Sequence, residues 1–582
     1  FPEAEVRQAG ALKAGAPAGQ NEIEKAAQAI RDYYGARGYI RTAVQPTLTT
    51  DPARSVADVA FAVTEGRLTR LRNIFIRGNS RTRDRVIRRE LLVAPGEIAN
   101  EPKIRQSERI LSNLGYFSAV RSDYESTDEP DRSDLVFEVE EKQTGQFMVG
   151  AGFSSIDKLM GFVELSQGNF DIRGWPTFSG GGQKLKLSGQ FGSTRKEYGI
   201  SFVEPWFLDR KLSLGVDLDR SDVSYSDYDI ERTGAAVTLG KALPGANRVH
   251  LQYRIERSQI RDIADTNLYV YLDPPHDEYS FSQEEDRVKS TVKLSLTHDT
   301  RNRPFVPTRG NYSTLFGSLS GGPFGFDTEI YNLGLQAAQY LPLWFNHVLQ
   351  VRGRLEVVEA YGSEDEVPLS DRLFIGGGRT IRGYDYREVG PKVVPVDPNS
   401  SARRYRPVGG GSLALAKLDY TIPIVQALRF AVFFDIGNVW REAYDFDFGQ
   451  LASGAGVGIR FDIPGFPIAI DRAWTVRKDN EITDEDTPPA GEAQPASPVV
   501  DADGTLEVAT LEERLGVTLP PGRATSVGGR LAELAGRIPA AGERLTTGGV
   551  EFLVLDASPA RIERFAARLA AAPSTTLGDR QP

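Results

Sequence analysis

The sequence predicts a transmembrane antiparallel β-barrel, preceded by small α+β domains and followed by one more small α+β domain. Three observations carry that expectation. Through the middle of the chain, apolar residues alternate with polar ones over runs of about 10–13 residues, longer than the usual strands of soluble sheets. The polar positions of these runs carry full charges, as at Arg352 and Arg354. Finally, 40% of the 582 residues are hydrophobic, yet no stretch approaches the ~18–20 apolar residues of a spanning helix. Barrel strands cross a membrane without such a stretch, because their alternation averages to a modest hydropathy.

Composition removes several function classes. With no Cys there is no disulfide scaffold, thiolate zinc site or Cys nucleophile. His250, His276, His298 and His347 form no metal-ligand spacing. A formal charge of −10 argues against a bulk-charge binder of nucleic acid. No catalytic residue, cofactor or metal is therefore expected. Phe1 opens in mid-pattern with no secretion signal before it, so the chain reads as a piece of something longer.

Residues 1–66 and 67–142 read as two α+β modules joined by almost no linker. In the first, Asn21 followed by Glu24 has capping-box spacing. Ile23, Ala26, Ala27, Ile30 and Tyr34 then recur at helical spacing up to Gly35. Val59, Phe61 and Val63 alternate as a strand, and an opening strand is lacking. In the second module Leu71 to Ile76 reads as a strand, Gly78-Asn79 as a turn, and a helix opens near Thr82. A further helix follows Asn100, with Ile104, Ser107, Leu111 and Leu114 on one face, and stops at Gly115. Leu135, Phe137 and Val139 make the closing strand. The basic run Arg81, Arg83, Arg85, Arg88, Arg89 reads as a solvated helix face in preference to a binding patch.

Residues 143–477 carry the long alternation. Val249, Leu251, Tyr253 and Ile255 alternate with His250, Gln252, Arg254 and Glu256; Leu212 to Asp219 and Leu349 to Val357 behave alike. In a soluble sandwich the apolar face would enter a shared core. In a membrane barrel it meets lipid, and the polar face lines a wet lumen. Strand length and charged pairs favour the barrel, with Arg352, Arg354 and Glu356 inside. About fifteen strands can be counted, against the even number of bacterial barrels, with long polar loops near 258–287, 359–373 and 385–411. Glu204-Pro205-Trp206-Phe207 reads as an interfacial turn, with Trp206 and Phe207 in the aromatic belt. Residues 478–503 are acidic and Pro/Ala-rich, a disordered linker by composition. Residues 504–573 turn globular again: a helix at Thr510 to Leu515, a strand through Val550, Phe552 and Val554, and a polar–apolar stretch at Arg561–Leu569. Gly528-Gly529 reads as a turn, since no Lys-Ser/Thr follows to make it a phosphate loop. Residues 574–582 are a tail.

Several motifs together resemble the BamA family of outer-membrane barrel-assembly factors across residues 1–477. The modules resemble POTRA domains through "YYGARGYI" (Tyr33–Ile40), "IRGNSRTRDRVIRREL" (Ile76–Leu91), "PGE" (Pro95–Glu97) and "LSNLGYFSAV" (Leu111–Val120). The barrel region carries "GFSS" (Gly152–Ser155), "EPWF" (Glu204–Phe207), "GGGRTIRGYDY" (Gly376–Tyr386) and "FFDIGNVW" (Phe433–Trp440). The resemblance implies a 16-stranded barrel in the bacterial outer membrane, with the POTRA-like domains in the periplasm. It implies a non-enzymatic assembly factor that inserts clients through a lateral seam. The implied partners are nascent outer-membrane β-barrel proteins, periplasmic lipoproteins of an assembly complex and the lipid bilayer, with no nucleic acid. Leu515–Phe565 instead resembles the CorC/HlyC transporter-associated domain, with its usual opening strand shortened. Neither a CBS pair nor a helical membrane domain precedes it, as if two reading frames had been joined. The alternatives are a two-partner-secretion-type polypeptide exporter and an accessory protein of magnesium or cobalt efflux.

Two places concentrate the functional expectation. The family carries an Arg-Gly-aromatic triplet on a long loop folded into the lumen, matched here by Arg382, Gly383 and Tyr384. A guanidinium in a partly desolvated lumen needs carboxylates, and its planar fork suits bidentate pairing. Asp419, where the family usually places Glu, and Asp435 lie on inward strand positions within reach. The competing reading is one more solvated loop arginine. The clasp would be architecture, not chemistry. The second place is the first barrel strand, where Phe147, Val149, Ala151 and Phe153 alternate with Gln146, Met148, Gly150 and Gly152. Its glycines invite distortion, and an edge strand is a template for another strand; in the family this is the lateral gate. A closed seam strand is the plainer reading. After Gly454–Asn480 the family has one more strand, but here the acidic linker begins. A gap or short irregular contact is therefore expected between Gln146–Ser154 and Phe466–Val476.

Overall fold

A computed structural model describes the chain except residues 16, 18, 155–157, 226–227, 264–267, 273–276, 281–285, 305, 396–404, 426, 463–467, 478–499, 504–507, 509–523, 525, 536, 540–542, 548–549, 558–561 and 570–582. It divides into two units, Phe1–Glu481 and Ile482–Pro582.

The first module comprises α1 (Glu3–Gly10), α2 (Gln20–Gly35) and a hairpin of β1 (Ala43–Asp51) and β2 (Val56–Thr64). The apolar face of α2 is the one its periodicity gave: Ile23, Ala26, Ala27, Ile30 and Tyr34 are buried. Its start is not. The cap is Gly19, whose carbonyl accepts from the Glu22 and Ile23 N–H groups at 3.0 and 3.1 Å. Asn21 and Glu24 consequently sit inside the helix, where Glu24 binds Arg31 at 2.6 Å instead of closing a capping box.

The second module is β3 (Arg70–Arg77), α3 (Asp84–Arg88), α4 (Glu101–Asn113), β4 (Phe117–Ser126) and β5 (Arg132–Glu141). β5 is central, parallel to β3 and antiparallel to β4. Asn100 caps α4 by accepting from the Lys103 N–H at 3.1 Å. Gly115, at φ +77°, follows its last turn. Leu71, Ile87, Ile104, Leu111, Leu135 and Phe137 form the core. Asp134, largely buried, accepts from Arg72 Nη2 at 2.8 Å and the Asn73 N–H at 3.0 Å. The bond to the Arg72 guanidinium holds its carboxyl below the usual carboxylate range.

Fifteen antiparallel strands form one sheet. In order they are β6 (Gly145–Ser154), β7 (Lys158–Phe170), β8 (Gln183–Gly192), β9 (Arg195–Glu204), β10 (Ser213–Ser224), β11 (Asp229–Leu243) and β12 (Asn247–Arg261). The short β13 (Leu268–Tyr271) and β14 (Glu278–Ser280) intervene before β15 (Asp286–Asp299), β16 (Gly310–Ser320), β17 (Ile330–Pro342) and β18 (Val348–Ala360). Then, after β19 (Lys392–Pro395) and β20 (Arg406–Pro407), come β21 (Ser412–Val425), β22 (Leu428–Trp440), β23 (Ala452–Phe461) and β24 (Ile468–Arg477). The four short strands, read as polar loops, build a second small sheet in the order β14-β13-β19-β20. Tyr269, Tyr271, Tyr279, Leu369 and Val393 are buried around it.

The large sheet is inverted relative to a soluble protein. Leu251, Leu294, Leu315, Leu333, Leu355 and Leu418 are exposed. On the other face Arg254 binds Asp219 at 2.7 Å, Arg352 binds Asp419 at 2.7 Å, and Glu356 accepts from Asn332 at 2.9 Å. The segment 361–373 of the loop after β18 lies on that charged face: Arg232 reaches the Ser370 carbonyl, Arg287 reaches Glu364, and Lys289 pairs with Asp371. A loop joining β18 to β21 while touching β11 and β15 spans the interior of the curved sheet. Leucines outside and ion pairs inside are stable only when the outer face meets lipid. Arg352, Arg354 and Glu356 therefore face the lumen.

The C-terminal unit contains β25 (Val500–Asp503), α5 (Val527–Ala535), β26 (Arg544–Thr547), β27 (Val550–Ala557) and β28 (Ile562–Leu569), with sheet order β25-β28-β27-β26. Residues 500–503 are thus not the end of a linker but an edge strand paired with β28; alternation over four residues is too short to read against an acidic background. Gly528-Gly529, expected as a turn, opens α5. Ser526 makes this possible: its Oγ accepts from the Gly529 N–H at 3.3 Å and its carbonyl from the Arg530 N–H at 2.9 Å. The helix expected at Thr510–Leu515 lies outside the described residues.

Candidate functional site

The charged face of the last strands closes on one guanidinium. Arg382 is 5% exposed and Asp435 is 0% exposed. From Arg382, the backbone N–H donates to Asp435 Oδ2 at 3.0 Å, Nε to the same oxygen at 2.6 Å, and Nη2 to Oδ1 at 2.6 Å. Nη1 donates to Asp419 Oδ1 at 2.9 Å and lies 3.4 Å from Asp471 Oδ2. The guanidinium also stacks over the Phe433 ring, 3.5 Å from its centre. Lys417 flanks the cluster, donating to the Thr380 carbonyl and standing 3.4 Å from Asp435. Arg382 thus joins the loop to β21, β22 and β24. Its forked pairing with Asp435 is the strong contact, since the planar guanidinium satisfies both oxygens. Asp419 is shared with Arg352, so its shorter arm still reaches. Asp471 was missed, although it stands in the polar phase of "IAIDRAW" with Ala469 and Ala473.

Gly383 and Tyr384 carry the contact to β24. Gly383 has φ +103°, and a Cβ there would stand 2.9 Å from the Trp474 carbonyl carbon. Only glycine lets the loop backbone lie this close to the strand. The Gly383 carbonyl accepts from Thr475 Oγ1 at 2.9 Å, and Tyr384 donates its hydroxyl proton to the Arg477 carbonyl. Gly383→Ala is expected to lift the loop from β24, at a backbone cost of about 1–3 kcal/mol. Faster amide exchange across 474–477 checks this; unchanged exchange there would show that the loop does not brace the strand.

The sheet has two free edges. Among the described residues no ladder joins β6 to β24, and the strands after Arg477 pair only within their own sheet. Phe147 and Val149 on β6 are 69% and 66% exposed; Ile470 and Trp474 on β24 are exposed as well. The glycines of β6 do not distort it. The strand pairs β7 in unbroken register from Gly145↔Gln167 to Ser154↔Lys158. At Gly150, the Phe162 ring occupies the space a side chain would take, 2.4 Å from the Cβ position. Gly152 has ordinary room beside Met160, and Ala151 and Phe153 continue the strand.

The basic run of the second module is a largely exposed face, as read, except at Arg89, which is tucked against the large sheet. Arg83 pairs with Asp171 and Arg85 approaches Asp209 at 3.7 Å, both in turns of the large sheet, and Arg89 approaches Glu204, the last residue of β9, at 3.8 Å. Trp206, expected in the aromatic belt, donates its indole N–H to Glu90 at 2.6 Å. Arg83, Arg85 and Arg89 thus bring positive charge next to acids of the large sheet at this junction.

Against known families, residues 178–487 match the Omp85 superfamily domain. The chain belongs to the Omp85 superfamily. Residues 1–66 and 69–142 match the POTRA surface antigen variable number repeat, and residues 497–570 match a transporter associated domain. This Omp85 chain is 27% identical over 450 residues to the outer membrane protein assembly factor BamA of Nitratidesulfovibrio vulgaris, covering 75% of the chain and 54% of that protein. To the BamA of Neisseria meningitidis it is 24% identical, covering 78% of the chain and 57% of that protein. The chain thus spans about half the length of these relatives. The crystal structure of BamA from Haemophilus ducreyi lacking POTRA domains 1–3 shares the fold, with TM-score 0.64 and 22% identity over 82% of this chain and 94% of that one. The Omp85 chain is an outer-membrane protein whose POTRA domains face the periplasm.

Proposed function

We propose that the chain is an outer-membrane protein assembly factor that folds and inserts β-barrel clients at the seam between β6 and β24. The single observation that carries this reading is the pair of free edges on a sheet whose outer face is apolar. Inside a bilayer an unpaired backbone group costs several kcal/mol, so these edges favour pairing with an arriving strand. The similarity to proteins named BamA supports the reading. Periplasmic lipoproteins dock on the POTRA units, and nascent outer-membrane barrels are the clients. No bond is broken; pairing and release are the whole reaction, so the protein is no enzyme.

Depleting the chain in its host tests this. The folded, heat-modifiable forms of many outer-membrane barrels are expected to decline together, with their unfolded precursors accumulating in the periplasm. Loss of one exported polypeptide, with barrels unaffected, would instead establish an exporter.

A further inference from the structure

The edge strand β24 carries a full charge on its lipid-facing side. Its register with β23 sets Gly458 opposite Asp471 and Val457 opposite Arg472. Asp471 points into the lumen, where Arg460 Nη2 donates to it at 3.1 Å. One residue along, Arg472 therefore projects outward, between the exposed Ile470 and Trp474. Its outward neighbours on β23, Val457 and the exposed Ile459, are apolar. Among the described residues no carboxylate pairs with it; the guanidinium stands 5.7 Å from the centre of the Trp474 ring. Arg472 is fifth of the ten residues of β24. An arginine on the lipid face is costly at mid-depth and far less so at the headgroups, so the side chain extends until its fork reaches the interface. Topology says which interface. β6 leaves the second module on the periplasmic side, and the fifteen strands alternate in direction, so β24 also runs outward and ends at Arg477 on the outer side. Trp474 lies toward that end, and tryptophan settles at headgroup level. The guanidinium beside it is aimed at the outer leaflet.

We propose that Arg472 binds the phosphate group of an outer-leaflet lipid beside the β24 edge. A phosphate supplies the anion this position lacks, and the planar fork takes two of its oxygens. The acyl chains of the same lipid lie against Ile470 and Ile459, on the hydrocarbon side of the guanidinium. An acid on an arriving strand suits the site less, because the lipid-facing positions of barrel strands are apolar. The proposal needs only the lipid-facing wall and stands apart from what the seam assembles.

The test compares the full chain with its Arg472→Leu variant in two uncharged bilayers, phosphatidylcholine and digalactosyldiacylglycerol, the second of which has no phosphate. Loss of the folded band on unheated gels follows unfolding by denaturant. In the galactolipid, Arg472→Leu is expected to resist more denaturant than the parent, since leucine suits the lipid face. In phosphatidylcholine that advantage is expected to vanish or reverse, with Arg472→Lys between the two. A phosphatidylethanolamine with a photoreactive headgroup is expected to label 468–477 of the parent several-fold more than the stretch around Val237 on β11, a reading that needs no variant. The proposal is overturned if Arg472→Leu gains equally in both lipids, if headgroup labelling does not favour 468–477, or if the deficit of the parent disappears only when a client strand is added.

Discussion

Arg382→Ala is expected to release the lumen loop and abolish most assembly activity. The substitution removes both guanidinium hydrogen bonds to the Asp435 carboxylate, which is fully buried. Breaking a buried ion pair from one side costs about 3–5 kcal/mol, because the remaining charge is left without compensation. Lys417, 3.4 Å from Asp435, and Arg352, 2.7 Å from Asp419, moderate that loss. The effects should therefore be graded. Asp435→Asn weakens two side-chain contacts to Arg382, whereas Asp419→Asn weakens one, so the former is the more damaging. Combining Arg382→Ala with Asp435→Asn should cost less than the sum of the two, because each change alone already breaks the same ion pair. Protease cutting within 376–390 measures the release, and survival of the folded barrel on unheated gels measures the damage. A variant with a protected loop and full client assembly would contradict the clasp.

Much of this arrangement is legible in the sequence, for a physical reason. Strand periodicity assigns each side chain to one of two faces, and a lumen guanidinium must find carboxylates on the inward face. Asp419 and Asp435 follow from that rule, as does the buried stripe of α2. Features that depend on tertiary pairing are not legible. β13, β14, β19 and β20 have between two and four residues each, too few to show alternation, and they pair across the sequence. Arg89 looks solvated because the acid it approaches, Glu204, is more than a hundred residues away. Gly528-Gly529 looks like a breaker because the cap that rescues the helix is a side-chain bond from Ser526. In each case local propensity yields to a contact that no local window contains.

The seam carries the largest functional expectation. In the large sheet every strand between β6 and β24 is paired on both sides, whereas among the described residues β6 and β24 each have one unpaired side. An arriving strand gains a full ladder there and nowhere else along the wall. The loop anchored at Gly383 and Tyr384 holds β24 in place while this happens, which couples the clasp to the edge. Widening the test to a lipid-exposed residue away from the edges separates edge pairing from general stickiness: Val149 lies on β6, Ile470 on β24 and Val237 on the doubly paired β11, and all three are exposed. The decisive measurement places a photo-cross-linking residue at each of these positions in cells making outer-membrane proteins. Adducts with newly made barrel proteins are expected at Val149 and Ile470 and not at Val237. No client adduct at either edge, or equal adducts at Val237, would contradict assembly at the seam.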